Sequence, residues 1–262
     1  MNIQPHILVS NDDGIDSPGL HRLAAALRAV GRVSIVAPDR NWSISGHHKT
    51  LRQFLRADPY PLDIEGIEAV YACSGSPADC VTLGCEGLLA SPPDLVVSGI
   101  NRGPNLGQDV TYSGTVAAAF EATIFGLPAI ACSIDDRSQD AQRLMAAAQV
   151  AAQVAANVWQ RGLPRNSLLN VNFPGTPVAD WRGVRVTYQG NREYTDRMVI
   201  GEDPSGRAFY WVDGEAPGGD WSAEDSDIWA VHHDFVSVTP LKLDMTDEAM
   251  RARLTGWELS LA

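Results

Sequence analysis

The sequence predicts an α/β fold, with a Rossmann-like, mostly parallel sheet that carries helices on both faces and an antiparallel hairpin appendage near the C-terminus. Over the first two thirds of the chain, short apolar runs alternate with helix-like segments, which indicates βαβ units. Polar loops follow several of these runs, as they do at the ligand-binding edge of such sheets. After about Pro174 the composition shifts to Trp, Tyr, Gly and acidic residues, a mixture typical of hairpins.

Each predicted strand is a short apolar run next to a polar or turn-forming residue. The predicted strands cover residues 7–10, 33–37, 66–72, 94–98, 129–134 and 168–173. The predicted helices cover residues 19–30, 77–89, 115–125 and 139–160, with a short C-terminal helix within 242–257. Local signals support the first three helices, since Pro18 precedes one, Ser76 can cap another and Gly126 ends the third.

The chain is predicted to form a single domain over residues 1–262. Within it, residues 1–175 form the Rossmann-like core and residues 180–240, approximately, form the hairpin and oligomerisation appendage. Residues 202–228 contain eight acidic side chains and one arginine, a net charge of −7. Two interpretations of this stretch stay open, a solvated acidic face and an oligomer contact made by hairpin arms.

The charge and the cysteines restrict the partners and the compartment. A net charge of −12 disfavours a nucleic-acid duplex or an anionic membrane as a partner, because the field of the chain repels both. No apolar run approaches the roughly 18 residues of a transmembrane helix, and residues 1–14 lack the features of a signal peptide. The four cysteines (Cys73, Cys80, Cys85 and Cys132) form no Cys-x-x-Cys pair. We therefore predict a cytoplasmic protein with reduced thiols.

The segment Asn11-Asp12-Asp13-Gly14 follows the first predicted strand. Two adjacent carboxylates at a strand end repel each other unless a cation neutralises them, and carboxylates suit hard cations such as Mg²⁺, Mn²⁺ or Ca²⁺. Gly14 permits a sharp turn that brings the side chains together. A plain polar turn is the alternative, because Asn, Asp and Gly favour turns in any case.

Two further polar loops follow predicted strands. Residues 37–43 supply additional oxygen atoms and an arginine. Residues 98–107 are rich in glycine, so the backbone can approach a ligand, and Asn101 and Asn105 add neutral oxygens. Since all three polar loops leave the carboxyl ends of strands, they are expected to meet at one edge of the sheet.

The segment Ser113-Gly114-Thr115 begins a predicted helix. Free N–H groups, two hydroxyls and the positive end of the helix dipole make this start an anion site. A simple N-cap by Ser113 is the alternative.

In combination, these segments resemble the SurE family of divalent-metal-dependent 5′-nucleotidases. The matching segments are residues 7–14 (ILVSNDDG), 36–43 (VAPDRNWS), 75–81 (GSPADCV), 96–107 (VVSGINRGPNLG), 112–119 (YSGTVAAA) and 235–241 (FVSVTPL). The resemblance implies one bound divalent cation, Mg or Mn. Carried over residue by residue, the implied metal ligands are Asp12, Asp13, Ser43 and Asn101.

The resemblance also implies hydrolysis of nucleoside monophosphates to nucleoside and phosphate, by a homodimer or homotetramer. Asp12, Asp13 and Asn11 are the expected catalytic residues, although the sequence does not separate a general base from a ligand. The expected phosphate-binding residues are Asn105, Ser113, Gly114 and Thr115. Two alternatives remain, a broader phosphomonoesterase or exopolyphosphatase on the same site, and a nucleotide-binding module without catalysis.

Overall fold

The apolar runs of the sequence form the strands of one large sheet in the computed structural model. The structure describes residues 4–136, 138, 140–213, 218–219 and 221–257. In chain order, the strands are β1 (His6–Ser10), β2 (Arg32–Pro38), β3 (Ala57–Pro59), β4 (Ile67–Cys73), β5 (Leu95–Arg102), β6 (Ala129–Ile134), β7 (Ser167–Phe173), β8 (Val184–Val186), β9 (Arg192–Glu193), β10 (Arg197–Glu202), β11 (Ala208–Asp213), β12 (Gly218–Gly219) and β13 (Val236–Lys242).

The first four helices link parallel strands of the sheet near their predicted positions, whereas the fifth, at residues 227–232, was not predicted. The helices are α1 (Pro18–Leu27), α2 (Pro77–Leu83), α3 (Gly114–Ile124), α4 (Ala141–Arg161), α5 (Asp227–His232) and α6 (Glu248–Leu254), with short 3-10 turns at Gly107–Thr111 and Val178–Asp180. Within the described part of the chain, no helix has both the length and the apolar character that a membrane crossing requires.

The large sheet has the strand order β3-β4-β2-β1-β5-β6-β7-β13-β8. Six neighbouring strands in this order, β4, β2, β1, β5, β6 and β7, are parallel to one another. At the two sides of this parallel group, β3 runs antiparallel to β4 and β13 runs antiparallel to β7. The chain leaves β1 toward β2 and later returns to its other side with β5, so the topological switch point lies beside β1. The predicted, mostly parallel sheet is therefore confirmed.

Apolar residues cover both faces of this sheet, because successive side chains of a strand point in opposite directions. Ile7 and Val9 pack in a cluster with α1 and α4, and Leu8 packs in a second cluster with α2 and α3. The helices on both faces are thus confirmed, and β1 is buried along its whole length.

The predicted helix over residues 77–89 ends early. It stops at Leu83 and continues as a single π-helical turn over Gly84–Leu88. Gly87 lies in this turn with a φ of 115°, a conformation that a helix cannot contain. The regular helix therefore ends six residues before the predicted end at residue 89, and Gly87 prevents helical geometry from continuing through the turn that follows.

The C-terminal region divides differently from the predicted appendage. β13 lies in the large sheet, where it pairs with β7 and β8. Among the described residues of this region, β10–β11 and β9–β12 form separate two-stranded ribbons. The stretch 180–240 is therefore too broad for an appendage. The predicted antiparallel hairpin is present as β10–β11.

Candidate functional site

Asn11 shapes the loop that follows β1. Its side-chain Nδ2 donates to the Gly14 carbonyl at 2.9 Å, and its Oδ1 accepts from the Gly14 N–H at 3.2 Å. Gly14 has a φ of 101°, which favours glycine at this turn. Both ends of the Asn11 amide are thus engaged within the loop. These contacts hold the loop in the shape that presents Asp12 and Asp13.

Asp12 is buried against the first turn of α3. Its Oδ1 accepts from the Thr115 hydroxyl at 2.6 Å and its Oδ2 accepts from the Thr115 N–H at 3.0 Å. Burial raises the pKa of Asp12, although these hydrogen bonds act in the opposite direction. Both donors of Thr115 face Asp12 and fix the position of its carboxylate.

Asp13 joins the loops that follow β2 and β5. Its Oδ2 accepts from the Arg102 backbone N–H at 2.9 Å, and its Oδ1 lies 3.4 Å from Nδ2 of Asn41. Burial and the neighbouring Asp12 charge raise the pKa of Asp13 to about 6. The three polar loops therefore meet at the carboxyl edge of the sheet, beside the switch point.

The start of α3 lies directly against Asp12. A Cβ atom on Gly114 would stand 2.7 Å from the Asp12 Cβ and 2.9 Å from the Ser45 hydroxyl, so only glycine allows this approach. The Ser113 hydroxyl accepts from the Val116 N–H at 3.0 Å and caps the helix. The cap uses an acceptor site of Ser113, which keeps its O–H donor for a second partner.

The loop after β2 carries Ser43, which is exposed. Its backbone N–H donates to Oδ1 of Asn41 at 2.8 Å, and the adjacent Trp42 N–H donates to the Asp12 carbonyl at 2.7 Å. In the loop after β5, Nδ2 of Asn101 donates to the Gly103 carbonyl at 2.8 Å. The Asn101 amide is thus oriented through its nitrogen, and its oxygen is the remaining polar atom.

Asn105 is buried and held by two neighbouring strands. Its backbone contacts Asn170 and Asn172 of β7, and its Nδ2 donates to the Ser133 hydroxyl of β6 at 2.7 Å. Sequence reasoning missed these three residues. Their signal was a pair of asparagines two positions apart in an apolar strand, where asparagine is otherwise rare.

Glu121 is a second buried group that the sequence did not reveal. Its carboxylate on α3 accepts from His47 Nε2 at 2.8 Å, from Lys49 Nζ at 2.5 Å and from the Thr82 hydroxyl at 3.0 Å. Burial alone would raise the pKa of Glu121, but the hydrogen bonds outweigh it and lower the pKa to about 2. These contacts fasten the loop of Ser43 to α3.

The residues at this edge suit a hard divalent cation. Asp12 and Asp13 are adjacent carboxylates with raised pKa values, so protein groups alone do not compensate their charge. Ser10, the last residue of β1, and its in-register neighbour Ser98 on β5 are fully buried, and their hydroxyls have no hydrogen-bond partner among the described residues. Since the described residues contain no group of three His, Cys, Asp or Glu side chains suited to a metal, hydroxyl and amide oxygens would complete the coordination.

The fold and this edge define a doubly wound α/β protein with two adjacent carboxylates beside its topological switch point. A family model described as "Survival protein SurE" matches residues 7–196. The chain belongs to the SurE family.

Named relatives match over nearly the full chain. The chain is 48% identical over 255 residues to a Geobacter sulfurreducens protein named 5′-nucleotidase SurE, covering 97% of this chain and 94% of that protein. A Chloroflexus aggregans protein of the same name is 47% identical over 254 residues, and the match covers 97% of this chain and 99% of that protein. The crystal structure of the SurE protein from Aquifex aeolicus matches with a TM-score of 0.81 and 42% identity, covering 96% of this chain and 98% of that one.

Proposed function

We propose that this chain is a divalent-cation-dependent 5′-nucleotidase that hydrolyses nucleoside monophosphates to nucleoside and phosphate. One observation carries the proposal: the adjacent carboxylates of Asp12 and Asp13 lie at the switch-point edge, and Asp12 is held against the N-terminus of α3. This arrangement supports a cation and a phosphate side by side. The names of the relatives, 5′-nucleotidase SurE, support the same activity.

The proposed cation ligands are Asp12, Asp13, Ser43 and Asn101, and the proposed cofactor is one Mg or Mn ion. These ligands are all oxygen donors, which such hard cations prefer. When bound, the cation supplies charge neutralisation at the phosphate and a lowered pKa for a water molecule.

The remaining residues of the site bind and orient the substrate. We propose that the Ser113 hydroxyl, the Gly114 backbone and Asn105 contact the phosphate oxygens. Either Asp12 or Asp13 accepts a proton from the attacking water. Asp13 is the more available of the two, since its Oδ1 makes only a 3.4 Å contact with Asn41, whereas Thr115 engages both oxygens of Asp12.

Phosphate release by the metal-free protein, with and without added Mn²⁺, tests this proposal. Hydrolysis of AMP that depends on Mn²⁺ is the expected result. Higher turnover of polyphosphate or p-nitrophenyl phosphate than of AMP would favour the broader phosphatase alternative. Binding of AMP without any phosphate release would favour a nucleotide-binding module.

A cytoplasmic location is also proposed. The four cysteines are free thiols in the structure, and three of them are buried. Free, buried thiols are usual where glutathione keeps cysteines reduced.

A second copy of this chain is the proposed partner of the β10–β11 hairpin, giving a homodimer or homotetramer. The hairpin is a two-stranded ribbon, which is at best marginally stable alone in water. Its exposed apolar side chains are Met198, Val199, Ile200, Phe209, Tyr210, Trp211 and Val212. In the same C-terminal stretch, Trp221 is exposed, whereas Trp229 stacks on Phe235 and His233 of its own chain.

At micromolar concentration, the protein is expected to be at least a dimer that tightens as salt is added. Residues 202–228 carry a net charge of −7, and two such segments repel until ions screen them. Light scattering across salt concentrations measures this. A monomer at every salt concentration would contradict the arm contact and leave the cation site untouched.

Replacing Ser113 by alanine is expected to raise KM or lower kcat for AMP. It should also lower the free energy of unfolding by about 1 kcal/mol, because the Val116 N–H loses its capping acceptor. Urea unfolding and steady-state kinetics measure the two effects. A loss of stability with unchanged kinetics would leave Ser113 with the cap as its sole role.

A further inference from the structure

The loop residue Asn105 is fixed by side chains from two strands. Its N–H donates to Oδ1 of Asn172 at 2.8 Å, and its carbonyl accepts from Nδ2 of Asn172 at 3.1 Å and of Asn170 at 2.8 Å. The Asn172 side-chain amide therefore pairs with the Asn105 backbone as a second peptide group would. A loop segment with little regular structure of its own is thus fastened to the rigid strand β7.

Ser133 fixes the side chain of the same residue. Its hydroxyl oxygen accepts from Nδ2 of Asn105 at 2.7 Å, in a fully buried position on β6. Ser133 is also the in-register neighbour of Asn101, a proposed cation ligand on β5. The hydrogen bond therefore sets the amide orientation of Asn105 close to the proposed cation.

We propose that Ser133, Asn170 and Asn172 are positioning residues that hold Asn105 ready for the oxygen atoms of the substrate phosphate. This inference rests on the proposed function, in which Asn105 contacts that phosphate. Orientation of a binding group before the substrate arrives increases the rate, and small displacements of such groups are costly. Because all three residues are buried, they act through Asn105 and do not touch the substrate.

The same face of the sheet offers a matched control. Ser237 on β13 is as fully buried as Ser133, and its hydroxyl makes a 2.8 Å hydrogen bond to the Thr187 hydroxyl. Asn105 is not among its hydrogen-bond partners in the described structure. Ser133→Ala and Ser237→Ala therefore each remove one buried hydroxyl of similar environment, but only the first removes a contact of Asn105.

The first experiment compares these two variants with AMP and Mn²⁺. Ser133→Ala is expected to lower kcat/KM by about tenfold or more, because Asn105 loses its fixed orientation. The kcat/KM of Ser237→Ala is expected to stay within about twofold of the wild-type value, even if its melting temperature falls as much as that of Ser133→Ala. Equal kinetic losses in the two variants, or no loss in Ser133→Ala, would overturn the proposal.

A double-mutant cycle with Asn105→Ala separates positioning from an independent effect. If Ser133 acts through Asn105, the double variant should be no slower than Asn105→Ala alone. Losses that multiply would overturn the proposal. A slow Asn105→Ala beside an unaffected Ser133→Ala would refute the positioning role alone and leave the proposed function intact.

A binding measurement keeps the inference testable without turnover. Calorimetric titration of inorganic phosphate into the Mn²⁺-loaded protein should show weaker binding to Ser133→Ala than to Ser237→Ala, with unchanged Mn²⁺ affinity in both. If the wild type hydrolyses no AMP but Ser133→Ala still binds phosphate more weakly than Ser237→Ala does, the proposed function fails and the positioning role stands. Equal phosphate affinity in the two variants would count against positioning.

Discussion

Replacement of Asp12 by asparagine is expected to lower the rate of AMP hydrolysis by roughly a thousandfold and to weaken Mn²⁺ binding. The proposed site loses a charged ligand for a hard cation. Such a cation contributes several kcal/mol to the stabilisation of transition-state charge, and a loss of about 4 kcal/mol corresponds to roughly a thousandfold in rate. Steady-state kinetics and Mn²⁺ titration of the purified variant measure both effects.

The same substitution should leave the metal-free protein at least as stable at pH 7. Burial raises the pKa of Asp12, so the ionised form is disfavoured in the folded state. A group with a raised folded pKa stabilises the protein below its unfolded pKa and loses that contribution as the pH rises through the folded value. At neutral pH, asparagine removes the buried charge, which offsets the weakened contacts with Thr115. Thermal unfolding of the metal-free proteins checks this.

Asp16→Asn is the matched control, because Asp16 lies near the same loop but is exposed and pairs with Tyr60. It should keep near-normal turnover and Mn²⁺ affinity. Near-normal turnover and affinity in Asp12→Asn would show that the cation site is wrongly assigned.

The central sheet was predictable from the sequence because parallel strands buried on both faces are nearly continuous apolar runs. β1, β6 and β7 follow such runs closely. β13 had a weaker signal, because buried Ser237 and Thr239 alternate with its apolar residues. Its place beside β7 depends on a long-range pairing that no local pattern encodes.

The gathering of three polar loops at one edge was also predictable, since it follows from strand direction alone. The direction of individual hydrogen bonds was not. Thr115 has a hydroxyl and a backbone N–H at a helix start, as a phosphate ligand would, yet both of these groups donate to Asp12. Glu121 lies in an alanine-rich helix, and nothing local indicates that His47 and Lys49 lie against it. These contacts arise only when distant segments pack together.

Replacement of Glu121 by glutamine is expected to lower the free energy of unfolding at pH 7 by about 2 kcal/mol. The fall in the pKa of Glu121 from 4.5 to about 2 corresponds to on the order of 3 kcal/mol. The partners His47 and Lys49 are partly exposed, so solvent reduces this figure. Glutamine keeps the shape but leaves the two loop side chains without a buried anion. Urea unfolding measures the difference.

The pH dependence of this difference distinguishes the buried charge from a mere change of packing. A carboxylate with a lowered pKa stabilises the folded state above its unfolded pKa, and that contribution is lost as the pH falls through the folded value. The gap between wild type and Glu121→Gln should therefore be full at pH 7 and shrink between about pH 4.5 and pH 2. Glu68→Gln is the control, because Glu68 pairs with Arg32 at 2.9 Å on the surface, where such pairs contribute about 0–1 kcal/mol. If wild type and Glu121→Gln differed in free energy of unfolding by the same amount at pH 7 and at pH 3.5, the shape of the Glu121 side chain, and not its charge, would stabilise the loop of Ser43.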